Sequence, residues 1–296
     1  MKWTPANKVL IQGISDPFGH HYSQRMKAHG TNIVGGVSSG LGGETLGDTP
    51  IFNLVEEAVT GVGKIDTTII FSPPFEVLDA ALEAIEAGIK QVIIVTPGVP
   101  PLDMVKLVQK AKITGTLVLG SGSQGIIMPG RQWLGIDDIQ KYQPGKVGML
   151  NRSDRLGDDV AYHLTAAGFG QSLVVGLGSD GILGSGYEYW LEVLEDDDET
   201  EAIVIISHPW GSIELQAAEF IGAAISKPVI FYLAGLSAPL HHNFDSADVI
   251  IAGQLSYAVS TINYQDNLVK TLEKHKIRVA KNLIQIPELV KKALKI

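Results

Sequence analysis

Short apolar segments alternate with helix-patterned segments along almost the whole chain. Val9–Ile11 is a continuous apolar run that ends at Gly13, and Thr67–Phe71, two threonines followed by three apolar residues, is a further predicted strand that stops at two prolines. Val77–Ala87 instead carries the apolar spacing of an amphipathic helix, with Gly88 at its end. Repeated strand–helix–strand order predicts right-handed crossover units around a parallel sheet, so we expect an α/β protein.

The chain divides into two parts with the same strand–helix alternation. It has 296 residues, enough for about two domains. Residues 120–146 are rich in Gly and Pro, with a turn pair at Pro129-Gly130, and the alternation restarts at Val147–Leu150. We therefore predict one domain over residues 1–130 and a second over residues 131–296.

The composition excludes several classes of protein. Hydrophobic residues make up 45% and charged residues 19% of the chain, so it can build packed cores and is not generally disordered. The net charge of −9 makes it a poor nucleic-acid binder, and the absence of Cys removes disulfides, thiolate nucleophiles and Cys-ligated metals. No apolar run approaches the roughly 18 residues of a membrane span, and Met1–Pro5 begin no apolar signal segment. We expect no nucleic-acid partner, no membrane span and a cytoplasmic location, or the mitochondrial matrix in a eukaryote.

The turn after the first predicted strand has the composition of a phosphate-binding loop. Gly13-Ile14-Ser15-Asp16-Pro17-Phe18-Gly19 leads into a helix, and in Rossmann folds the backbone N–H groups and the helix end face an anion there. The pattern is not GxGxxG, so a plain strand–helix turn fits equally well. A nicotinamide-dependent oxidoreductase is disfavoured, because the second strand, Asn32–Val37, ends in Ser38-Ser39 and no acid follows before Glu44 to hold a ribose.

Nine segments spread over the chain carry a family resemblance. They are Gly13–Tyr22, Val34–Gly43, Pro50–Asn53, Ala84–Lys90, Val95–Pro100, Pro144–Gly148, Gly168–Ser172, Thr200–Val204 and Ile250–Gly253. In order and spacing they resemble the α-subunits of succinyl-CoA synthetases, the succinate–CoA ligases. The resemblance implies an N-terminal CoA-binding Rossmann-like domain followed by a flavodoxin-like, doubly wound ligase domain.

The resemblance also implies a reaction and a partner. The family joins an acid to coenzyme A with NTP and releases NDP and phosphate. Coenzyme A and the acid are small-molecule ligands. NTP and Mg are bound through a β-subunit, in a heterodimer or a heterotetramer.

The phosphoryl-accepting histidine of the family is missing. The family carries it in a Gly-His-Ala-Gly-Ala-Ile segment, and the matching segment here is Asp245–Ile250, with Ser246 in the histidine position. A serine hydroxyl is a weak nucleophile without an activating base, and a phosphoserine ester is too stable for a reversible relay. Asp245 and Asp248 place negative charge on both sides. The central catalytic position of the family has therefore changed.

Two neighbouring catalytic positions differ as well. The glutamate that contacts the histidine in the family corresponds to His208, and a tyrosine associated with substrate corresponds to Asp158. His208, His241 or His242 could accept the phosphoryl group instead, since His242 lies only four residues before Ser246. We keep Ser246, His208 and His242 as catalytic candidates and Asp158 as the substrate candidate.

The coenzyme A site is altered too. The family's Thr-Gly-Ser-Gln-Gly turn reads Ser15–Gly19 here, so Pro17 removes a backbone N–H and Asp16 adds an anion. Leu41 replaces a lysine and Pro97 a glutamate. The residues that the resemblance implies in CoA binding are Gly13, Ser15, Asp16, Pro17, Phe18, Gly19, Leu41, Val95, Thr96 and Pro97. Together the changes predict reduced affinity for CoA.

No metal site is predicted. The adjacent pairs His20-His21 and His241-His242 lie in predicted turns or loops, where neighbouring side chains do not converge on one ion, and the acidic run Glu195–Glu199 is typical of a solvated turn. Two functional hypotheses remain. The chain is either an acid–CoA ligase α-subunit that works through altered residues, or a non-catalytic paralogue with a regulatory, assembly or ligand-binding role.

Overall fold

The computed structural model describes residues 4, 6–153, 155–209, 212–236 and 264–295. The strands of the first part are β1 (Val9–Gln12), β2 (Ile33–Val37), β3 (Thr45–Leu46), β4 (Thr49–Phe52), β5 (Thr67–Ile70), β6 (Gln91–Ile94) and β7 (Leu117–Leu119). The helices are α1 (Pro17–Ala28), α2 (Val55–Val62), α3 (Val77–Glu86) and α4 (Pro101–Thr114).

The first sheet has the order β3-β4-β2-β1-β5-β6-β7 and is parallel except for the β3–β4 pair. Every residue of β1, β5 and β6 is buried, as expected for parallel strands covered by helices on both faces. The strand order reverses beside β1. A crevice therefore opens at the carboxyl ends of β1 and β5, where open α/β sheets bind ligands.

The second part repeats the pattern around another sheet. Its strands are β8 (Gly125–Met128), β9 (Gln132–Gly135), β10 (Pro144–Asn151), β11 (Gln171–Gly176), β12 (Ala202–Ser207), β13 (Val229–Leu233) and β14 (Arg278–Ala280). Its helices are α5 (Leu156–Ala166), α6 (Tyr187–Asp196), α7 (Ser212–Ala224), α8 (Tyr264–Lys274) and α9 (Gln285–Leu294), with one 3₁₀ turn at Ile139–Lys141.

These described strands form a second sheet with the order β14-β13-β12-β10-β11-β8-β9. Strands β11, β10, β12, β13 and β14 run parallel, in the flavodoxin-like order 2-1-3-4-5, and β8 and β9 join as an antiparallel hairpin on the β11 side. The carboxyl ends of β10 and β12 lie side by side at the point where this order reverses.

The change from one sheet to the other comes earlier than the boundary predicted at residue 130. Pro129-Gly130 is the turn between β8 and β9, and both strands pair in the second sheet. The crossing lies between Leu119, the last residue of β7, and Gly125, the first of β8. The Gly- and Pro-rich composition marks a hairpin turn here, because such turns and domain linkers use the same residues.

The two sheets share buried contacts. The Thr31 hydroxyl donates to the Trp133 carbonyl at 2.6 Å. The Arg25 guanidinium of α1 lies 5.2 Å from the Trp133 ring centre and 3.7 Å from the Asp138 carboxylate. One apolar cluster accordingly contains residues from both parts, among them Met26 and Trp133. Strand β9 thus packs against the first helix of the chain.

Two hairpins, β3–β4 and β8–β9, were not predicted. The apolar run Val249–Ile251 also predicts a strand from the sequence, and it lies outside the described residues. No helix among the described residues has the length and apolarity needed to cross a membrane.

Candidate functional site

The first turn brings α1 very close to the end of β1. Gly13 has φ +79°, a conformation that favours glycine. A Cβ at Gly19 would stand 2.3 Å from the Gly13 carbonyl oxygen, so only glycine allows the helix to approach this turn. The sequence prediction of a tight strand–helix turn between Gly13 and Gly19 agrees with this geometry.

The N-terminus of α1 is capped from within the chain. Asp16 is the N-cap residue, and its Oδ1 accepts the backbone N–H of Phe18 at 2.9 Å. Pro17 is the first helical residue and has no N–H to donate. A side-chain carboxylate therefore takes the hydrogen bond that an anionic ligand would use at this helix end.

A cleft of about 350 Å³ opens beside this turn. It lies at the carboxyl ends of β5 and β6. We call it the cleft, and it is lined by Asp16, Phe18, Phe71, Ser72, Pro73, Pro74, Val95, Thr96 and Pro97. The Phe18 and Phe71 rings meet edge to face at 5.9 Å. Five of the residues that the resemblance implies in CoA binding, Asp16, Phe18, Val95, Thr96 and Pro97, are thus brought to one site.

The polar groups around the cleft are paired with one another. The Thr96 hydroxyl donates to the Ser72 carbonyl at 2.7 Å, and the hydroxyls of Ser15 and Ser38 are 2.6 Å apart. Leu41, in the loop after β2, is half-buried and does not line the cleft. The lining therefore offers an apolar, aromatic surface with few unpaired hydrogen-bonding groups.

Coenzyme A fits this cleft only in part. Its uncharged thiol–amide arm suits the aromatic and prolyl walls. Its diphosphate does not suit them, because no Lys or Arg lines the cleft and Asp16 contributes a negative charge. The reduced affinity for CoA stays a prediction.

A buried ion pair lies at the carboxyl ends of β10 and β12. Arg152 follows β10, and its Nη1 is 2.7 Å from Oε1 of Glu214 on α7. The Ser207 hydroxyl, at the end of β12, donates to the same oxygen at 2.8 Å. We call Arg152, Ser207 and Glu214 the switch-point cluster. His208 is the next residue after Ser207 and is half-buried, so this catalytic candidate stands beside the cluster.

Two buried oxygens of this region have no hydrogen-bond partner. They are Glu214 Oε2 and the Tyr187 hydroxyl, at the start of α6. Burial, followed by the charge of Glu214, raises the pKa of Tyr187 far above its usual range. Tyr187 therefore stays protonated and can only act as a neutral hydrogen-bonding group.

Asp180 links the switch-point cluster to the cleft. Its Oδ2 accepts the Gly98 N–H at 2.9 Å and the Ser121 hydroxyl at 2.6 Å. Its backbone carbonyl accepts from Arg152 Nη2 at 3.1 Å. Gly98 directly follows Pro97 of the cleft lining, so Asp180 ties one wall of the cleft to the second sheet.

Asp158, the substrate candidate, lies in a different cluster. It accepts the Tyr142 hydroxyl at 2.8 Å and the Asp138 N–H at 3.2 Å. Asp137 beside it is buried, and burial together with the charge of Asp158 raises the pKa of Asp137 well above its usual range. These bonds hold Asp158 against the segment before β10, and its substrate role stays a prediction.

Several candidates are not brought into either cluster. Ser246 and His242, with His241, lie outside the described residues. The acidic run Glu195–Glu199 is partly helical, and Glu195 accepts the Ser226 N–H at 3.0 Å. Among the residues that the structure describes, no group of three His, Asp or Glu side chains is placed to hold a metal ion.

Known proteins are similar to this chain both in its first part and over most of its length. A model of the CoA binding domain matches residues 4–98, the part that contains the cleft. Succinate–CoA ligase [ADP-forming] subunit alpha 2 of Archaeoglobus fulgidus is 40% identical over 287 residues, 97% of each chain. Malate–CoA ligase subunit alpha of Methylorubrum extorquens is 40% identical over 248 residues, 82% of this chain and 83% of the relative.

The fold has a close match among solved structures. ATP citrate lyase of Methanothrix soehngenii superimposes with a TM-score of 0.84 at 16% identity, over 100% of this chain and 50% of that chain. Fold and cleft define an α/β protein with a Rossmann-like CoA-binding half. With the identities above, the chain belongs to the α-subunit family of succinate–CoA ligases, which are NDP-forming acid–CoA ligases.

Sequence reasoning missed the residues that organise the second sheet's end. Arg152, Asp180 and Glu214 carry no motif of their own, and Arg152 meets Glu214 across 62 residues of sequence. The one available signal was position, because all three follow a predicted strand or begin a predicted helix at the same edge of the sheet.

Proposed function

We propose that this chain is the α-type subunit of an acid–CoA ligase assembly in which the phosphohistidine relay does not operate. The observation that carries the proposal is Ser246, which stands where the family has its phosphoryl-accepting histidine. A β-subunit of the same family is the proposed partner, in a heterodimer or heterotetramer. It would bring the NTP and Mg sites.

The proposal follows from the different chemistry of a histidine and a serine side chain at this position. An imidazole accepts a phosphoryl group at neutral pH and releases it again, whereas a serine hydroxyl needs an activating base and forms a stable ester. Asp245 and Asp248 flank Ser246, and their charge opposes an incoming phosphate. The NDP-forming reaction is therefore impaired even where the ligands still bind.

The alternative within the same family is a ligase that uses another histidine. His208 favours it, because this residue directly follows Ser207 of the switch-point cluster and stands in the position of the family's glutamate. His242, four residues before Ser246, is the second candidate. No described hydrogen bond joins the His208 side chain to a base, and His242 lies outside the described residues.

A chain without the relay keeps other possible roles. The intact fold and cleft support a ligand-binding function, and an α-type subunit can regulate or assemble with its β-subunit without transferring phosphate. We propose this non-catalytic role as the outcome of the lost histidine.

The test is phosphoryl transfer onto the full chain. The chain is co-expressed with the β-subunit encoded in the same genome, and the purified complex is incubated with γ-labelled ATP or GTP. Label on this chain is counted before and after mild acid, which releases phosphohistidine and spares phosphoserine. The matched variant is Ser246→His with His208→Glu, which restores both family residues.

We expect no acid-labile label on the wild-type chain and clear label on the double variant. Acid-labile label on the wild type contradicts the proposal, and His208→Asn and His242→Asn then locate the acceptor. Acid-stable label that Ser246→Ala abolishes also contradicts it, because the relay position would then accept phosphate. A genuine α-subunit labelled in parallel controls for an active β-subunit.

A further inference from the structure

The N-terminus of α1 has few donors left for an anion. Pro17 has no N–H, and the Phe18 N–H is taken by the Asp16 carboxylate at 2.9 Å. The Asp16 N–H donates to the Gly13 carbonyl at 3.1 Å, and the first intrahelical bond is the one from the His20 N–H. Of the four N–H positions that open a helix, three are thus absent or already satisfied within the chain.

The charge of the cleft also disfavours the binding of an anion. Asp16 is the one charged residue of its lining, and it is negative. The Thr96 hydroxyl is taken up by a bond that it donates to the Ser72 backbone carbonyl at 2.7 Å. The remaining walls are aromatic, prolyl or aliphatic, and Phe18, although nearly half exposed, lies edge-on to Phe71. Such a surface binds uncharged chains by burial of apolar area.

We propose that Asp16 is a specificity-determining residue, which makes the cleft select an uncharged thiol–amide chain of the pantetheine type and reject a diphosphate. The carboxylate occupies the place of a ligand phosphate at the helix end and repels a second anion there. The volume of about 350 Å³ lies at the small end of the range for ligand sites and suits one arm of a coenzyme rather than the whole.

This inference rests on the proposed function only in taking the ligand to be related to coenzyme A. It concerns binding and not phosphoryl transfer. A chain that accepts no phosphoryl label can therefore still bind pantetheine. A chain that does accept the label can still fail to discriminate between pantetheine and CoA.

Binding of two probes to the full chain tests the inference. Calorimetry measures the dissociation constants of pantetheine and of CoA, which adds the diphosphate and the nucleotide. The informative variant is Asp16→Ser, because serine caps a helix about as well as aspartate and removes the charge. The matched control is Asp198→Asn, which changes the net charge equally at an exposed position of the other half.

We expect wild-type protein to bind CoA no more than about threefold tighter than pantetheine. Asp16→Ser should tighten CoA binding by about tenfold, most strongly at low salt, and leave pantetheine within about twofold. Asp198→Asn should change neither value.

Three results overturn the inference. The first is wild-type protein that binds CoA tenfold or more tighter than pantetheine. The second is a ratio of the two affinities that Asp16→Ser leaves unchanged while circular dichroism shows the variant folded. The third is binding of neither probe, by either protein, at millimolar concentration, since the cleft would then not accept the arm.

Discussion

Asp180 accepts the backbone N–H of Gly98 across the join between the two sheets, at 2.9 Å. The same oxygen accepts the buried Ser121 hydroxyl at 2.6 Å. The wall of the cleft that contains Thr96 and Pro97 is consequently positioned by a residue of the second sheet. The shape of the cleft in one half therefore depends on the packing of the other.

Replacing Asp180 by Ala should lower the free energy of unfolding by about 2 kcal/mol, because Ser121 and Gly98 lose their acceptor. Asp180→Asn keeps an amide oxygen at that place and should recover most of the loss. Urea titration followed by circular dichroism measures both. If Asp180→Asn and Asp180→Ala lower the free energy of unfolding equally, the charge of Asp180, and not its two hydrogen bonds, stabilises this wall of the cleft.

The buried pair of Arg152 and Glu214 gives a second prediction. Arg152→Met leaves the Glu214 carboxylate almost fully buried without its cation, and should cost about 3–5 kcal/mol. The double variant Arg152→Met with Glu214→Met removes both charges and should be more stable than the single variant. Denaturant titrations of the single and the double variant measure their free energies of unfolding. A double variant less stable than Arg152→Met contradicts the prediction.

A third prediction concerns the approach of α1 to the first turn. Gly19→Ala places a Cβ 2.3 Å from the Gly13 carbonyl and should destabilise the protein by about 1–3 kcal/mol, since the helix must shift. Gly61→Ala is the matched helical control, because its Cβ would meet only the Phe52 ring at 3.0 Å. The melting temperature should fall for the first variant and change little for the second. Similar effects at both sites would argue against the close approach.

The pH dependence of stability should report Asp137. Its folded pKa is raised, mainly by burial and then by Asp158, so the unfolded chain loses this proton first as the pH rises. The stability tied to the protonated form is complete below the unfolded pKa and is lost as the pH rises towards the folded one. Asp137→Asn removes this dependence.

Unfolding free energies of the wild type and Asp137→Asn are measured from pH 4 upwards. The difference should move in favour of Asn by roughly 1 kcal/mol per pH unit until the folded pKa is passed. Asp159→Asn, at an exposed position of α5, is the control. A difference that does not vary with pH would contradict the raised pKa.

The fold was predictable in segments where the apolar residues follow a single regular spacing. The helix predicted at 77–87 is observed at Val77–Glu86, and the run Thr67–Phe71 is observed as the strand Thr67–Ile70. Helical spacing over about ten residues identifies the covering helices, and short apolar runs bounded by turn residues fit buried parallel strands. The two hairpins escaped because β3 has two residues and β9 contains Gln132 and Gly135, which weaken a strand pattern.

Only those site residues that lie in the segments resembling the family could be predicted from the sequence. Cleft residues such as Asp16 and Thr96 came from matched segments. Asp180 came from neither pattern nor resemblance, because its partner Gly98 is 82 residues away and only the folded sheets bring them together. For Asp158, matching gave a position in the sequence, but the bond to Tyr142 could be known only from the structure.

The placement of Trp133 against the first helix has a consequence for how the molecule unfolds. Its ring and carbonyl bind Arg25 and Thr31, and the surrounding apolar cluster spans both sheets. Cutting the chain at residue 130 would part β8 from β9 and expose that cluster to water on both fragments. We expect a single cooperative melting transition for the intact protein and no stable fold for either piece, because both sheets contribute to the larger of the two apolar clusters.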